Sequence, residues 1–200
     1  LLLSTAVALG AAPALASDSG YPSRHIRMIT VASAGGGGDS IARIFATKMG
    51  AILGTTIIVE NRPGAGGAIA MDALARAPSD GYTMGLSGFS ASVLVPIVRS
   101  KTPYDVLKDF VPIGMIGTAP ILLAATNDFP ANNVEELIAY AKAHPDERLM
   151  YASWGVGSTG HFCGELLNQK AGIAIEHIPY NGVGQIMSDM LGGQIQLAQL

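Results

Sequence analysis

Short apolar runs alternate with amphipathic stretches along most of this 200-residue chain. Ile26–Val31 is a strand-like run that ends among glycines. Ile41, Ile44, Phe45, Lys48, Met49 and Ile52 then recur at helical spacing, with only Lys48 polar and Gly54 as a natural stop. Ile57–Glu60 predicts a second strand, residues 68–77 a helix of small residues, and Asp80-Gly81 a turn into a third strand, Tyr82–Leu86. Residues 111–125 carry two short apolar segments, after which the alternation restarts. Asn133 and Glu136 have capping-box spacing ahead of Val134, Leu137, Ile138 and Ala141, and His144-Pro145 ends that helix. Leu149–Ser153 and Ile173–Ile178 predict strands around a helix reaching about Ala171. A last helix carries Val183, Ile186, Met187, Met190 and Leu191, and Gly192-Gly193 turns into Gln194–Leu200, whose Ile195 and Leu197 are expected to point into a core. Such alternation predicts parallel α/β sheets with right-handed crossovers, divided into two α/β lobes by the break at residues 111–122.

Two uncharged runs, Gly81–Val98 and Phe110–Asn127, raise the question of membrane spans. Pro96, Pro112, Pro120 and several glycines cut them into strand-sized pieces, which are expected to be continuously apolar strands of a sheet covered on both faces. Leu1–Ala16 is different: uncharged, rich in Leu and Ala, too short for a comfortable span, and closed by the small-x-small pattern Ala14-Leu15-Ala16. It reads as a partial signal peptide, removed near Ala16/Ser17, and implies a periplasmic mature protein. Without an initiator Met or a basic n-region, the chain is expected to begin part-way through that leader.

The net charge is −3, and the twelve basic residues are scattered, which argues against nucleic acid as a partner. The single Cys163 allows no disulfide within the chain, and His25, His144, His161 and His177 lack metal-ligand spacing. No cofactor is expected.

The chemistry lies in the loops after the strands. Ser33-Ala34-Gly35-Gly36-Gly37-Gly38-Asp39, Asn61-Arg62-Pro63-Gly64-Ala65-Gly66-Gly67 and Gly155-Val156-Gly157-Ser158-Thr159-Gly160-His161 each join a strand to a helical pattern. A helix N-terminus offers unpaired N–H groups and a partial positive charge, so such junctions together could receive a carboxylate or phosphate. Ser33, Ala34, Gly35, Gly36 and Gly37 either touch a ligand or form only a tight turn; four consecutive glycines cost entropy that a turn does not require. Asp39, included with them, fits better as the N-cap, paired with Arg43 one turn on. Ser87 and Gly88 close a strand at the end where open α/β sheets bind ligands. Ser158 or Thr159 is expected to cap its helix and bind a carboxylate, while His161 either donates to the ligand or caps its own turn. Arg62 is open between a structural role and a salt bridge to ligand.

The alternative is a nucleotide-dependent or hydrolytic α/β enzyme. Gly155–Gly160 matches G-x-G-x-x-G, with Glu176 near the distance of a ribose-binding acid. Glu176, however, is expected inside its strand rather than at the strand's C-terminal end, and Gly85-Leu86-Ser87-Gly88-Phe89 lacks the last glycine of a nucleophile elbow.

Further motifs stand in order: Tyr21-Pro22-Ser23, Gly35–Asp39 with Ala42-Arg43, Glu60–Gly67, Asp80-Gly81-Tyr82-Thr83, Tyr104-Asp105 with Lys108-Asp109-Phe110, Tyr151-Ala152-Ser153, Gly157-Ser158 with His161, Pro179-Tyr180 with Gly182, and Leu191-Gly192-Gly193. In this order the chain resembles the Bug or TctC-like solute receptors of tripartite tricarboxylate transporters. The resemblance implies a two-lobe periplasmic-binding-protein architecture, type II-like (Venus flytrap), with lobe 1 in residues 17–110, a hinge crossing at 111–122 and lobe 2 in residues 123–200. It also implies that family members continue further, so that a C-terminal part is missing, both lobes are incomplete and apolar strand edges lie open. The implied function is extracytoplasmic binding, without catalysis, of a small carboxylate-bearing molecule: a di- or tricarboxylate, an acidic amino acid or an aromatic carboxylate. The implied partners are that solute and the membrane subunits of the transporter, with the receptor a monomer. Where family members often carry a bulky apolar residue before the glycines and Thr before the Asp, this chain has Ser33-Ala34 and Gly38.

Overall fold

The computed structural model describes residues 20–200, so the expected leader lies outside the described residues. Two separate sheets form, as the break in the sequence pattern predicts. The first has order β2-β1-β3, built from β1 (Ile26–Thr30), β2 (Ile57–Asn61) and β3 (Thr83–Leu86), with both pairings parallel. The second has order β4-β7-β5-β6, from β4 (Leu123–Ala125), β5 (Met150–Ser153), β6 (Glu176–Pro179) and β7 (Leu197–Gln199). Here the all-parallel expectation fails, because β4 runs antiparallel to β7. The last strand, β7, lies inside its sheet, antiparallel to β4 and parallel to β5. Ile195 and Leu197 are buried as expected.

Helix α1 (Gly37–Leu53) ends at Gly54, whose φ of 66° supplies the left-handed stop. Of the expected face only Met49 packs against the core, while Ile41, Ile44, Phe45 and Ile52 are exposed. Ala42, Ala46 and Gly50 are buried, whereas Ile44 is 65% and Ile52 84% exposed. Small residues let the helix lie close on the sheet; a Cβ at Gly50 would stand 2.7 Å from the Thr55 carbonyl. Beneath this face Ile26, Met28 and Ile57 form the core.

The run expected as strands through residue 98 turns helical after β3. A wide turn at Ser90–Leu94 continues as α3 (Val95–Val98), because Ala91 and Val95 pack on α2 (Ala68–Ala75) through Ala68 and Met71. Residues 111–121 form no strand either: they have no regular secondary structure and leave Val111, Ile113 and Met115 exposed, with no described strand pairing to them. At the end of this segment, Leu122 exchanges two backbone hydrogen bonds with Leu200, both 2.8 Å.

In the second lobe, α4 (Val134–Ala143) starts at the expected capping box. The Asn133 side chain accepts the Glu136 N–H at 2.9 Å, and the Glu136 carboxylate reaches back to the Asn132 amide. Helix α5 (Thr159–Ala171) stops at Gly172 in the left-handed conformation, and α6 (Val183–Leu191) follows β6. Leu137, Leu149, Tyr151, Ile175 and Leu197 fill the core on one side of the sheet, while Ala152, Ile186, Ile195 and Ala198 form a second cluster. Among the described residues no helix is long and apolar enough to cross a membrane.

Candidate functional site

Parallel strands deliver their following loops to one edge of a sheet, and β1 and β3 end side by side, with Thr30 opposite Leu86. The loop Ser33–Gly36 and the pair Ser87-Gly88 therefore share an edge. Helix α1 opens at Gly36, which provides no side-chain cap. Asp39 is not the N-cap but the third residue of the helix, and its carboxylate reaches back to accept the Gly35 N–H at 2.9 Å. The same carboxylate accepts Arg43 Nε at 3.0 Å and Asn61 Nδ2 at 2.8 Å. Asp39 is 3% exposed, so its oxygens serve the fold. Arg43, then Asn61, then the Gly35 amide hold its carboxyl down at about 2. As first-turn residues, Gly37 and Gly38 have N–H groups with no acceptor inside the helix, and Gly36 offers no side chain to take them.

Helix α6 is built the same way. Gly182 is an N-cap without a side-chain bond, and the third residue, Gln185, reaches back to accept the Asn181 N–H at 3.3 Å. This junction is absent from the expected site residues. Pro179-Tyr180-Asn181-Gly182 ahead of an apolar helical pattern was its signal.

Helix α5 differs. Ser158 is fully buried; its hydroxyl accepts the His161 N–H and lies 3.1 Å from Ser153 Oγ, which in turn lies 2.7 Å from His177 Nε2. Ser158 is thus the cap, as expected, and its hydroxyl is spent inside the lobe. His161 accepts the Gly157 N–H through Nδ1 at 3.3 Å and lies tilted against His177 with ring centroids 4.2 Å apart. Burial, and then the neighbouring His161, pull the His177 imidazole down to about 4. Ser158→Ala is expected to lower stability by about 1 kcal/mol through loss of the cap, measured by urea denaturation, with solute affinity little changed. An affinity loss without a stability loss would contradict this assignment.

The features behind the enzyme alternative are taken up elsewhere in the fold. Glu176 is the first residue of β6, paired opposite Met150 at the start of β5, so it sits at the far end of the sheet from the Gly155 loop. There it forms a two-pronged ion pair with Arg148 at 2.6 and 2.8 Å. Ser153 and His177 are close, but a fully buried hydroxyl gives a substrate no access. Arg62 pairs with Glu60, which also binds Arg27, and the Tyr180 hydroxyl donates to Asp189 at 2.8 Å.

The two lobes meet directly across the cleft. A Cβ at Gly182 would stand 2.5 Å from Ser33 Oγ and 2.6 Å from its Cβ. One at Gly66 would stand 3.3 Å from the Val156 carbonyl, and one at Gly155 3.3 Å from the Gly66 amide. Thr159 donates its N–H to Ser90 Oγ at 2.9 Å, and its own hydroxyl lies 2.6 Å from the same oxygen. The structure brings Ser33 against lobe 2 and Thr159 against lobe 1; it leaves Ser87 bonded within its own loop to Ser92.

Two α/β lobes facing each other through glycine loops at strand ends are the architecture of periplasmic solute-binding proteins. Residues 41–200 match the profile of the tripartite tricarboxylate transporter family receptor, TctC, and the chain belongs to that family. It is 39% identical over 187 residues to Protein BugT of Bordetella pertussis, covering 93% of this chain and 57% of BugT. The structure of periplasmic binding protein BugD superposes with a TM-score of 0.81 at 38% identity, covering 88% of this chain and 58% of BugD. R. palustris Rpa4515 with adipate superposes with a TM-score of 0.84 at 31% identity, covering 90% of this chain and 60% of Rpa4515. The chain thus spans a little under two thirds of the length of each of these proteins.

Proposed function

We propose that this protein is an extracytoplasmic receptor that takes a small carboxylate-bearing solute between its lobes and presents it to the membrane subunits of a tripartite tricarboxylate-type transporter. One observation carries the reading. Helices α1 and α6 share the same N-terminal design, a glycine cap with the third residue's side chain turned back, and Gly182 brings α6 against Ser33 of the loop before α1. Two helix N-termini, one from each lobe, thus come together and suit a molecule with a carboxylate at each end. The adipate bound by Rpa4515 is such a dicarboxylate. Ser33, Ala34, Gly35, Gly36, Gly37, Ser87 and Gly88 line the cleft in this reading, with Thr159 and His161 beside it. Recognition by neutral donors leaves selectivity to cleft shape and bridging water. Residues 111–122 act as the hinge crossing, and the receptor works in the periplasm as a monomer, freed of its leader near Ser17.

Gly37→Pro is the sharpest test. Proline at the first helical position removes one N–H without disturbing the helix, and nothing lies within 4 Å of a Cβ there. Titration calorimetry with C4–C6 dicarboxylates is expected to show binding without turnover, weakened about tenfold in the variant at unchanged stability. Stabilisation by NAD but by no dicarboxylate would favour the nucleotide enzyme instead.

A further inference from the structure

The N-terminus of α5 is closed in a way that those of α1 and α6 are not. Its third amide, His161 N–H, goes to Ser158, and its first, Thr159 N–H, goes to a side chain from the other lobe, Ser90. Ser90 begins the helical turn after β3 and is largely buried, 69 residues from Thr159 in sequence. Its oxygen is shared between the Thr159 amide and hydroxyl, so two of the polar groups that an anion would seek at this helix end are already partnered.

We propose that Ser90 is the residue that latches the two lobes together, acting as an interlobe cap on α5 and withholding that helix end from the solute. The proposal rests on the receptor reading for its purpose, though not for its geometry. A second contact sets how deep the latch can close: Gly182 faces Ser33 with no room for even one added carbon. With φ of 171° and ψ of 166°, Gly182 has an extended backbone open to any residue, so its lack of a side chain answers to space across the cleft. In the receptor, the solute would accordingly be held by α1 and α6 while Ser90 and Thr159 hold the lobes shut beside it. The two serines and their partners thus divide closing from binding.

The latch can be read without any solute, by amide hydrogen exchange followed by NMR on the whole 200-residue chain. The first amide of a helix has no partner within the helix, so protection at Thr159 N–H reports Ser90 directly. Ser90→Ala is expected to speed exchange at Thr159 about tenfold, the worth of one hydrogen bond, while His161 N–H, bonded within lobe 2, keeps its rate as the folding control. Gly182→Ala leaves Ser90 in place yet wedges the lobes, and is expected to expose Thr159 N–H equally; adding Ser33→Gly should restore protection. Unprotected Thr159 in the wild-type chain, or protection that survives Ser90→Ala, would overturn the latch. Failure of dicarboxylate binding in the Gly37 titration would leave these rates untouched, so the two readings fall separately.

Discussion

Gly164→Ala is expected to destabilise the second lobe by about 3 kcal/mol, more than any other single-methyl addition to α5. A Cβ at this position would overlap the Tyr151 ring, which lies across the helix with its one hydroxyl proton shared between Glu165 Oε1 at 2.9 Å and the His161 carbonyl at 3.1 Å. Tyr151 is 2% exposed and cannot swing aside without breaking those bonds and opening the core formed with Leu149, Ile175 and Leu197. Urea denaturation monitored by circular dichroism measures the loss. The cause is checked by a double-mutant cycle: Tyr151→Leu creates a gap that the added methyl helps to fill, so the pair should cost clearly less than the sum. Strict additivity would place the strain elsewhere.

Asp39→Ala comes second, at roughly 2 kcal/mol, because it strands the Asn61 side-chain amide and the Gly35 N–H and removes the partner of half-exposed Arg43. Its acid dependence follows from the sign of the shift. A carboxyl lowered from 3.8 to about 2 contributes its full stability above its unfolded value and loses it as pH falls through the folded one. The gap between wild type and variant should therefore be constant from pH 7 to about 4 and narrow by roughly 2 kcal/mol on the way down to pH 2. His177 adds an earlier step common to both proteins. A base lowered from 6.5 to about 4 gives its full stability above 6.5 and loses it toward pH 4. A gap that stayed constant to pH 2 would mean that the Asp39 carboxylate does not hold the loop.

Local signals carried much of this fold into the sequence. Gly54 and Gly172 end helices because left-handed geometry is a property of the residue itself, and Asn133 with Glu136 caps within four residues. What the pattern missed depended on distant partners. The larger side chains of α1 satisfied the helical period, yet the sheet selected Ala42, Ala46 and Gly50 because only they permit close approach. The apolar residues after Ser90 became helical to cover α2, and those from Val111 lacked a strand to pair with. In the candidate site, Gly35–Gly37 were legible as a strand-to-helix junction, whereas Ser90 carried no local mark at all. Asn61, which braces Asp39 from the neighbouring strand, was hidden for the same reason.

The position of β7 also sets an order of events in time. Sheet β2-β1-β3 draws its strands from Ile26 to Leu86 and can form as soon as that stretch is available. Sheet β4-β7-β5-β6 cannot: its inner strand begins at Leu197, and without it β4 has no partner in the sheet. Joining β4 to β7 closes a loop from Leu123 to Gln199, a slow, non-local step with an entropic cost paid before any packing is gained. A chain emerging N-terminus first therefore carries the β2-β1-β3 sheet while β4 still waits, unpaired, for residues more than seventy positions away.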